Sequence, residues 1–210
     1  MPIGKYAAVI VETRDLIGLC PVIDNHLKFI PQDWELVVFG SALNEQSLAK
    51  NYPKANFFDI SCTNLTEQKY NEVLASADFW QFLAEYDRVL IFQHDSLLLR
   101  EGIENFIDWD YIGAPWGHFN LLGGNGGLSI RNPKKMLEII NRYKYSPVLH
   151  GNEDVYFCKH LPLVNGKIAP RDIAMQFSVE TIFFSKPIGI HAADKHLKKS
   201  EYEFILKQAV

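Results

Sequence analysis

The sequence is organised around a short run of apolar residues that ends in polar groups. Residues 89–92 are all apolar, and Gln93, His94 and Asp95 follow them directly. An unbroken run of branched and aromatic residues is typical of a strand that is buried on both faces. Ligands of open α/β sheets bind at the carboxyl ends of such strands. The three polar residues therefore stand where a binding site is expected.

The chain before this strand alternates between predicted strands and helices. This alternation is typical of βαβ units, which build a mostly parallel sheet with helices on both faces. The first predicted turn, Val11-Glu12-Thr13-Arg14, lacks the Gly-x-Gly-x-x-Gly fingerprint, which argues against a dinucleotide-binding dehydrogenase. Strands are predicted at 6–11, 34–39, 56–60 and 88–93, and helices at 21–30, 43–51 and 66–86, the last in two pieces with Asp78 as the candidate break.

After Asp95 the pattern becomes less regular, and Gly, Pro and aromatic residues punctuate it. We predict one α/β domain whose second half is irregular and faces the ligand. Its predicted elements are a short strand at 128–131 and helices at 101–107, 133–143, 153–161 and 197–207, with irregular segments at 109–116 and 162–190.

Composition excludes several classes of protein. The formal net charge is -4 and no long basic block occurs, so we expect no nucleic-acid partner. Three cysteines without a Cys-x-x-Cys pair do not support a disulfide framework or a zinc knuckle. The apolar stretch near the N-terminus is too short for a membrane span and lacks the layout of a signal peptide. We therefore predict a cytoplasmic protein.

Asp95 is a candidate ligand for a divalent cation, because Mg²⁺ and Mn²⁺ prefer oxygen ligands and bridge to substrate phosphates. One carboxylate alone makes a weak site, so a second protein ligand is needed, and the late His191 is the candidate. The alternative interpretations are a strand end followed by an Asp-Ser turn and a histidine that belongs to the core.

Two further motifs lie in the second half of the chain. Gly123-Gly124-Asn125-Gly126-Gly127 would let the backbone approach a ligand closely, although a flexible turn is the alternative. Glu153 and Asp154 are adjacent acids near a predicted helix start, where they either complement the helix dipole or supply a general base.

The order of these pieces resembles a GT-A fold glycosyltransferase that uses a nucleotide-sugar donor. More narrowly, the chain is similar to a little-characterised, mostly bacterial group of small glycosyltransferase-like proteins. The resemblance covers about residues 6–191 and is carried by the stretches 89–95, 110–116, 124–131 and 152–155 together with His191.

The resemblance implies a donor site in the first half of the chain. Asp95 matches the last acid of the Asp-x-Asp motif, in which Gln93 here replaces the first acid, and His191 matches the histidine that completes the shell of Mn²⁺ or Mg²⁺. The segment 12–14 (Glu12, Thr13 and Arg14) matches the place where such folds hold the base and ribose. His94, between Gln93 and Asp95 in the chain, is assigned to the same donor site.

The resemblance also implies an acceptor and catalytic half at 96–210, after a nucleotide-binding half at 1–95. Gly124, Asn125, Gly126 and Gly127 match the loop beside the donor sugar and acceptor. Asp154, with Glu153 beside it, matches the catalytic base of inverting members. The implied reaction moves a sugar from a nucleotide-diphosphate donor, a UDP-sugar in our prediction, to a saccharide acceptor that is either free or lipid-linked.

Two other functions remain open from the residues alone. A sugar-phosphate nucleotidyltransferase shares this kind of sheet, but would carry a Gly- and Lys/Arg-rich loop after the first strand. A non-catalytic module that binds a nucleotide or saccharide is supported by Gln93, which replaces an acid.

Two features of the second half have open roles. Among the aromatic residues near the glycine loop, Trp116 is the best candidate to stack on a sugar, the alternative being the core; the others are Trp109, Tyr111 and Phe119. The predicted C-terminal helix carries Lys198, Lys199 and Lys207, with Lys195 just before it. It either lies on an anionic membrane, at its inner face, or packs on its own domain with a solvated lysine face.

Overall fold

The computed structural model describes residues 4–14, 18–118 and 120–209. The strands are β1 (Tyr6–Val11), β2 (Glu35–Gly40), β3 (Asn56–Asp59), β4 (Arg88–Phe92), β5 (Ser96–Leu98), β6 (Tyr111–Gly113), β7 (Leu128–Arg131), β8 (Ser178–Val179) and β9 (Gly189–His191). The helices are α1 (Leu19–Phe29), α2 (Ala42–Asn51), α3 (Glu67–Leu74), α4 (Ala77–Phe82), α5 (Pro133–Arg142), α6 (Pro147–His150), α7 (Glu153–His160), α8 (Arg171–Phe177), α9 (Ala193–His196) and α10 (Lys199–Lys207), with 3₁₀ helices at Ile103–Phe106 and Leu161–Val164.

The central sheet has the strand order β3-β2-β1-β4-β7-β6. β3, β2, β1 and β4 run parallel, and β7 joins β4 antiparallel, as β6 then joins β7. Because β1 and β4 are parallel neighbours, Val11 and Phe92 end at the same edge of the sheet. The predicted α/β class with a mostly parallel central sheet is confirmed.

Both faces of the sheet are buried, as the apolar run at 89–92 predicts. Val89 and Ile91 pack with α4, α5 and α7 on one face, whereas Leu90 and Phe92 pack with α1 and α8 on the other. Alternate residues of a strand point to opposite faces, so a strand covered on both sides must be apolar throughout.

The break in the 66–86 helical region lies two residues earlier than predicted. α3 ends at Leu74, and the hydroxyl of Ser76 accepts a hydrogen bond from the Phe79 N–H to begin α4. Asp78 lies inside the first turn of α4, where its charge complements the helix dipole. The break is set by the serine cap, and not by Asp78.

A second, three-stranded sheet forms behind the carboxyl end of β4. β5 pairs with β9, which pairs with β8, so that Ser96 lies opposite His191. The turn after β4 lies at His94 and Asp95, and Ser96 already begins β5, so the Asp-Ser turn that we considered as an alternative is met only in part. The sequence pattern also missed α8, within the segment expected to hold loops and short strands.

The C-terminal region forms two helices, α9 and α10, where one was predicted. Ile205 is fully buried and packs with Ile190, which fits the prediction of a helix packed on its own domain. None of the helices within the described ranges has the length and apolar character that a membrane crossing requires. Phe119 lies outside the described residues.

Candidate functional site

Two adjoining cavities open at the carboxyl ends of β1 and β4. Their volumes are about 300 and 190 Å³, and they share Glu67, Tyr70 and Gln93, so they form one continuous cleft. The first cavity is also lined by Val11, Glu12, Arg14, Leu65 and His94, and the second by Asn71, Asn125, Gly126, Gly127, Asn152, Glu153, Asp154 and His191. Most of the predicted site residues therefore lie around this cleft.

Glu12 and Arg14 form one wall of the first cavity. The Arg14 Nε and Nη2 atoms donate to the two oxygens of Glu12 at 2.8 and 2.6 Å, and His94 Nδ1 lies 3.6 Å from Glu12 Oε2. Burial disfavours the charge of Glu12, but the hydrogen bonds from Arg14 outweigh it and lower the pKa of that carboxyl. A charged, fixed acid of this kind can accept hydrogen bonds from ligand hydroxyls.

Thr13, between these residues, does not line the cleft. Its side chain is buried, and its hydroxyl accepts a hydrogen bond from the Leu65 N–H at 3.0 Å. Thr13 thus fixes the start of the α3 region beside the first cavity.

Gln93 and Asp95 both contact His191 near the carboxyl end of β4, where Gln93 lines both cavities, His191 lines the second, and Asp95 lines neither. His191 Nε2 lies 2.9 Å from Gln93 Oε1 and 3.3 Å from Asp95 Oδ1. Adjacent ligands in an octahedral shell at about 2.1 Å from the cation lie about 3 Å apart. Asp95 Oδ1 is buried, and its 3.3 Å contact with His191 does not have hydrogen-bond geometry. Each of the two His191 distances therefore fits a pair of neighbouring ligands around a divalent cation.

The third protein ligand in such a shell would be the amide oxygen of Gln93. Within the described ranges, no three His, Cys, Asp or Glu side chains surround a common point. An amide oxygen is a neutral ligand, so it would hold the cation more weakly than the acid that the resemblance implies at this position.

Two charged residues that the sequence analysis did not assign to the site hold Asp95 and His191. Lys195 Nζ lies 2.6 Å from Asp95 Oδ2, and Glu180 Oε1 lies 3.3 Å from His191 Nδ1. Burial would lower the pKa of His191, but its contacts with the carboxylates of Asp95 and Glu180 raise it to about 9. Burial would raise the pKa of Asp95, but its contacts with His191 and Lys195 lower it. Spacing along the chain gives no signal for Glu180.

The glycine loop is packed against the protein itself. A side chain at Gly127 would collide with the His191 imidazole, and one at Gly126 would meet Arg131 and Glu153. A Cβ at Gly124 would strike the backbone of residues 113–114. The close approach that these glycines allow is to other residues of the site, and this packing replaces the flexible turn considered above.

Asn125 ties this loop to the rest of the site. Its Nδ2 donates to Glu180 Oε1 at 2.9 Å, and its Oδ1 accepts from the Gly127 N–H at 2.6 Å. Because Glu180 also holds His191, Asn125 links the loop to the candidate cation ligands.

Glu153 and Asp154 have different environments although they are adjacent. Glu153 forms a bidentate ion pair with Arg131, at 2.6 and 2.9 Å. Asp154 accepts hydrogen bonds from the N–H groups of Gly126 (3.0 Å) and Val155 (2.7 Å) and has no cationic side chain bonded to it. Burial and the neighbouring Glu153 charge raise the pKa of Asp154 to about 7. A pKa near 7 suits a general base at neutral pH.

The aromatic rings of Trp116 and Tyr111 are buried beneath the glycine loop. Trp116 is only 5% exposed and belongs to the core cluster beneath the loop, which is the alternative role that we considered for it. Tyr111 is fully buried, and its hydroxyl donates to the Gly124 carbonyl at 2.8 Å. Stacking on a sugar is therefore not favoured for either ring.

The family described as "Protein of unknown function (DUF5672)" matches residues 53–191 of the chain. A search of curated proteins finds no match. Among solved structures, apo GlyE, a glycosyltransferase of Streptococcus pneumoniae TIGR4, superposes with a TM-score of 0.57 at 10% identity, over 96% of this chain and 60% of GlyE.

Two other solved structures give the same result. The mannosyltransferase PcManGT from Pyrobaculum calidifontis, in complex with GDP-Man and Mn2+, has a TM-score of 0.54 at 17% identity, over 81% of this chain and 55% of PcManGT. The bifunctional glycosyltransferase WbbM, in its apo form, has a TM-score of 0.56 at 12% identity, over 100% of this chain and 50% of WbbM. The chain thus spans between half and about three fifths of these proteins, and its fold is GT-A-like.

Proposed function

Because the chain belongs to the DUF5672 family of proteins of unknown function and has a GT-A-like fold, we propose that it is a nucleotide-sugar glycosyltransferase. One observation carries the proposal. The buried carboxylate of Asp154, with a pKa near 7, lines the same cavity as Gln93 and His191, which fit a cation shell with Asp95. A base and a diphosphate site side by side are the parts that glycosyl transfer needs.

The donor is proposed to lie along the cleft, with its nucleoside in the larger cavity. There Glu12 would accept hydrogen bonds from ribose hydroxyls, while Arg14 holds Glu12 in its charged form. The diphosphate would lie by Asp95 and His191, and the sugar beside Gly127 in the smaller cavity. A UDP-sugar remains our preferred donor.

The proposed cation ligands are Asp95, His191 and the amide oxygen of Gln93. A bound Mn²⁺ or Mg²⁺ would neutralise the charge that develops on the departing diphosphate. The burial of Asp95 Oδ1, 3.3 Å from His191 Nε2, supports this assignment, because a carboxylate oxygen and an imidazole nitrogen can bind the same cation.

In the proposed reaction a hydroxyl oxygen of the saccharide acceptor attacks the anomeric carbon of the donor sugar. The bond from that carbon to the diphosphate oxygen breaks, and the leaving nucleoside diphosphate takes the electron pair. Asp154 receives the hydroxyl proton. Attack from the face opposite the diphosphate inverts the anomeric configuration. Asp154 can act as the general base because hydrogen bonds from the N–H groups of Gly126 and Val155 fix the position of its carboxylate.

The proposal is tested first by binding. The melting temperature is measured with UDP, UDP-sugars, GDP-mannose and the other common nucleotide sugars, each with and without Mn²⁺, because a ligand of the folded state raises it. We expect a rise with a uridine diphosphate that grows when Mn²⁺ is present. The absence of any rise across the panel would overturn the donor site.

A non-catalytic binding module is the alternative that Gln93 favours. Asp154→Asn distinguishes the two functions, because an enzyme would lose turnover with this substitution and keep donor affinity. Donor hydrolysis or transfer to simple glycosides, followed as release of the nucleoside diphosphate, provides the activity measurement.

A further inference from the structure

Lys195 forms an ion pair with one carboxylate oxygen of Asp95, the proposed cation ligand. Its ammonium lies 2.6 Å from Asp95 Oδ2, while the side chain is 57% exposed. The other oxygen, Oδ1, faces His191. One carboxylate is thus shared between an ammonium group and the place where a divalent cation fits.

The backbone after β9 is shaped to bring Lys195 to this place. Ala192 adopts a left-handed conformation (φ 45°, ψ 24°), which is unfavourable for a residue with a Cβ. The Ala192 N–H donates to the Asp95 carbonyl at 3.0 Å, and the Ala192 carbonyl accepts from the Lys195 N–H at 3.0 Å. This turn folds α9 back over Asp95, so that His191 and Lys195 lie on either side of one carboxylate.

The charges around Asp95 have two consequences. The Lys195 ammonium contacts Asp95 Oδ2, and the Arg14 guanidinium, which is paired with Glu12, lies within electrostatic range. Positive groups so close to a carboxylate repel a free divalent cation. The same groups attract an anion, and a nucleoside diphosphate is the anion that the proposed reaction uses.

We infer that Lys195 holds Asp95 until a nucleoside diphosphate binds, and that its ammonium then moves to the phosphate oxygens and leaves both carboxylate oxygens to the cation. This inference rests on the proposed function, since it concerns the same donor site. It requires that cation and diphosphate each strengthen the binding of the other, by the same factor in both directions. Lys195 is a positioning and charge-balancing residue in this scheme.

The test compares wild type with Lys195→Gln, using isothermal titration calorimetry with Mn²⁺ alone, UDP alone, and UDP with Mn²⁺ present. We expect Mn²⁺ alone to bind the variant about tenfold more tightly, because the competing ammonium is gone. UDP with Mn²⁺ should bind it about tenfold more weakly, because a phosphate partner is lost, so the two ligands become less cooperative. Lys195→Arg, which keeps the charge, should restore most of the UDP affinity.

Lys199→Gln is the matched control, because Lys199 is 90% exposed and only reaches Glu203 at 3.9 Å. It should bind both ligands as wild type does, and the melting temperature of each variant shows whether it is folded. Unchanged or weaker Mn²⁺ binding to Lys195→Gln would overturn the inference even if UDP binds wild type. If wild type binds no nucleoside diphosphate, the proposed function fails, and the Mn²⁺ titration still decides whether Lys195 competes for Asp95.

Discussion

Arg131 and Glu153 form a bidentate ion pair inside the protein, one residue before the candidate base Asp154. The Arg131 side chain is fully buried, with its guanidinium over the Tyr111 ring at 5.1 Å, and its Nη2 also donates to the Gly126 carbonyl. One arginine therefore holds both the start of α7 and the glycine loop. Both oxygens of Glu153 bind Arg131. Of the two acids, Asp154 is therefore the one whose carboxylate can accept a proton from a substrate.

Glu153→Gln should destabilise the protein by about 3 kcal/mol, because it leaves the buried Arg131 charge without a partner. For a chain of this size that lowers the melting temperature by roughly 6–12 °C. Thermal unfolding at pH 7 measures the effect. Glu203→Gln, which removes the same charge from an exposed pair on α10, should change stability little. A difference of less than about 1 kcal/mol between the two variants would contradict the proposed role of the ion pair.

Asp154→Asn should abolish transfer, retain donor affinity and raise stability above pH 7. The folded protein holds the Asp154 proton more tightly than the unfolded chain does. The contribution of this group to the free energy of unfolding is therefore present below about pH 4 and is lost as pH rises through 7. A pKa raised from 3.8 to about 7 corresponds to about 4 kcal/mol. Asparagine has one acceptor oxygen in place of two, so one of the N–H groups of Gly126 and Val155 loses its hydrogen bond. This loss reduces the expected gain in the free energy of unfolding to about 1–3 kcal/mol. Denaturant unfolding at pH 5 and pH 8 tests the sign.

The pH profile of kcat/KM should rise with pH with a midpoint of about 7, because the base must be ionised before it can take a proton. In Glu153→Gln the midpoint should move to lower pH, since the charge of Glu153 helps to raise the pKa of Asp154 while Arg131 lowers it. Initial rates across pH 5 to 9 give both profiles. A wild-type profile that is already level at pH 5 would contradict a base with the raised pKa of Asp154.

Gly127→Ala should weaken binding of a nucleotide sugar with Mn²⁺ at least tenfold and cost about 1–3 kcal/mol of stability. The added methyl would collide with the His191 imidazole, so the candidate cation ligands must move apart. Gly117→Ala is the control, because a Cβ there meets Thr181 and Ile182 at ordinary contact distances. Titration calorimetry of both variants makes the comparison, and equal affinities would rule out the steric argument.

Gln93→Glu should bind Mn²⁺ in the presence of UDP about tenfold more tightly, because a charged oxygen replaces a neutral one beside His191 and Asp95. Gln81→Glu adds the same charge on an exposed position of α4 and should have no effect. If Gln93→Glu leaves Mn²⁺ affinity unchanged, the amide oxygen is not a ligand.

The local sequence pattern determined much of the sheet. β1 was predicted with its observed bounds, and β4 to within one residue, because strands buried on both faces must be apolar at every position. A serine at position 76 is a favourable helix cap, and it sets the break that the sequence pattern places at Asp78. The short strands β5 and β8 are too brief to show a period, and their pairing with β9 is decided by distant residues.

The residue types of the site were readable from the sequence, because Asp95, Asp154 and the glycine loop lie in recognisable segments. The different roles of these residues could not be predicted from the sequence. Only the tertiary structure pairs Glu153 with Arg131 and leaves Asp154 open, and only it sets Lys195 and His191 on either side of Asp95. The reason is physical: apolar periodicity is a local property of the chain, whereas the ionisation of a carboxylate depends on burial and on charges that the fold brings from far along the sequence.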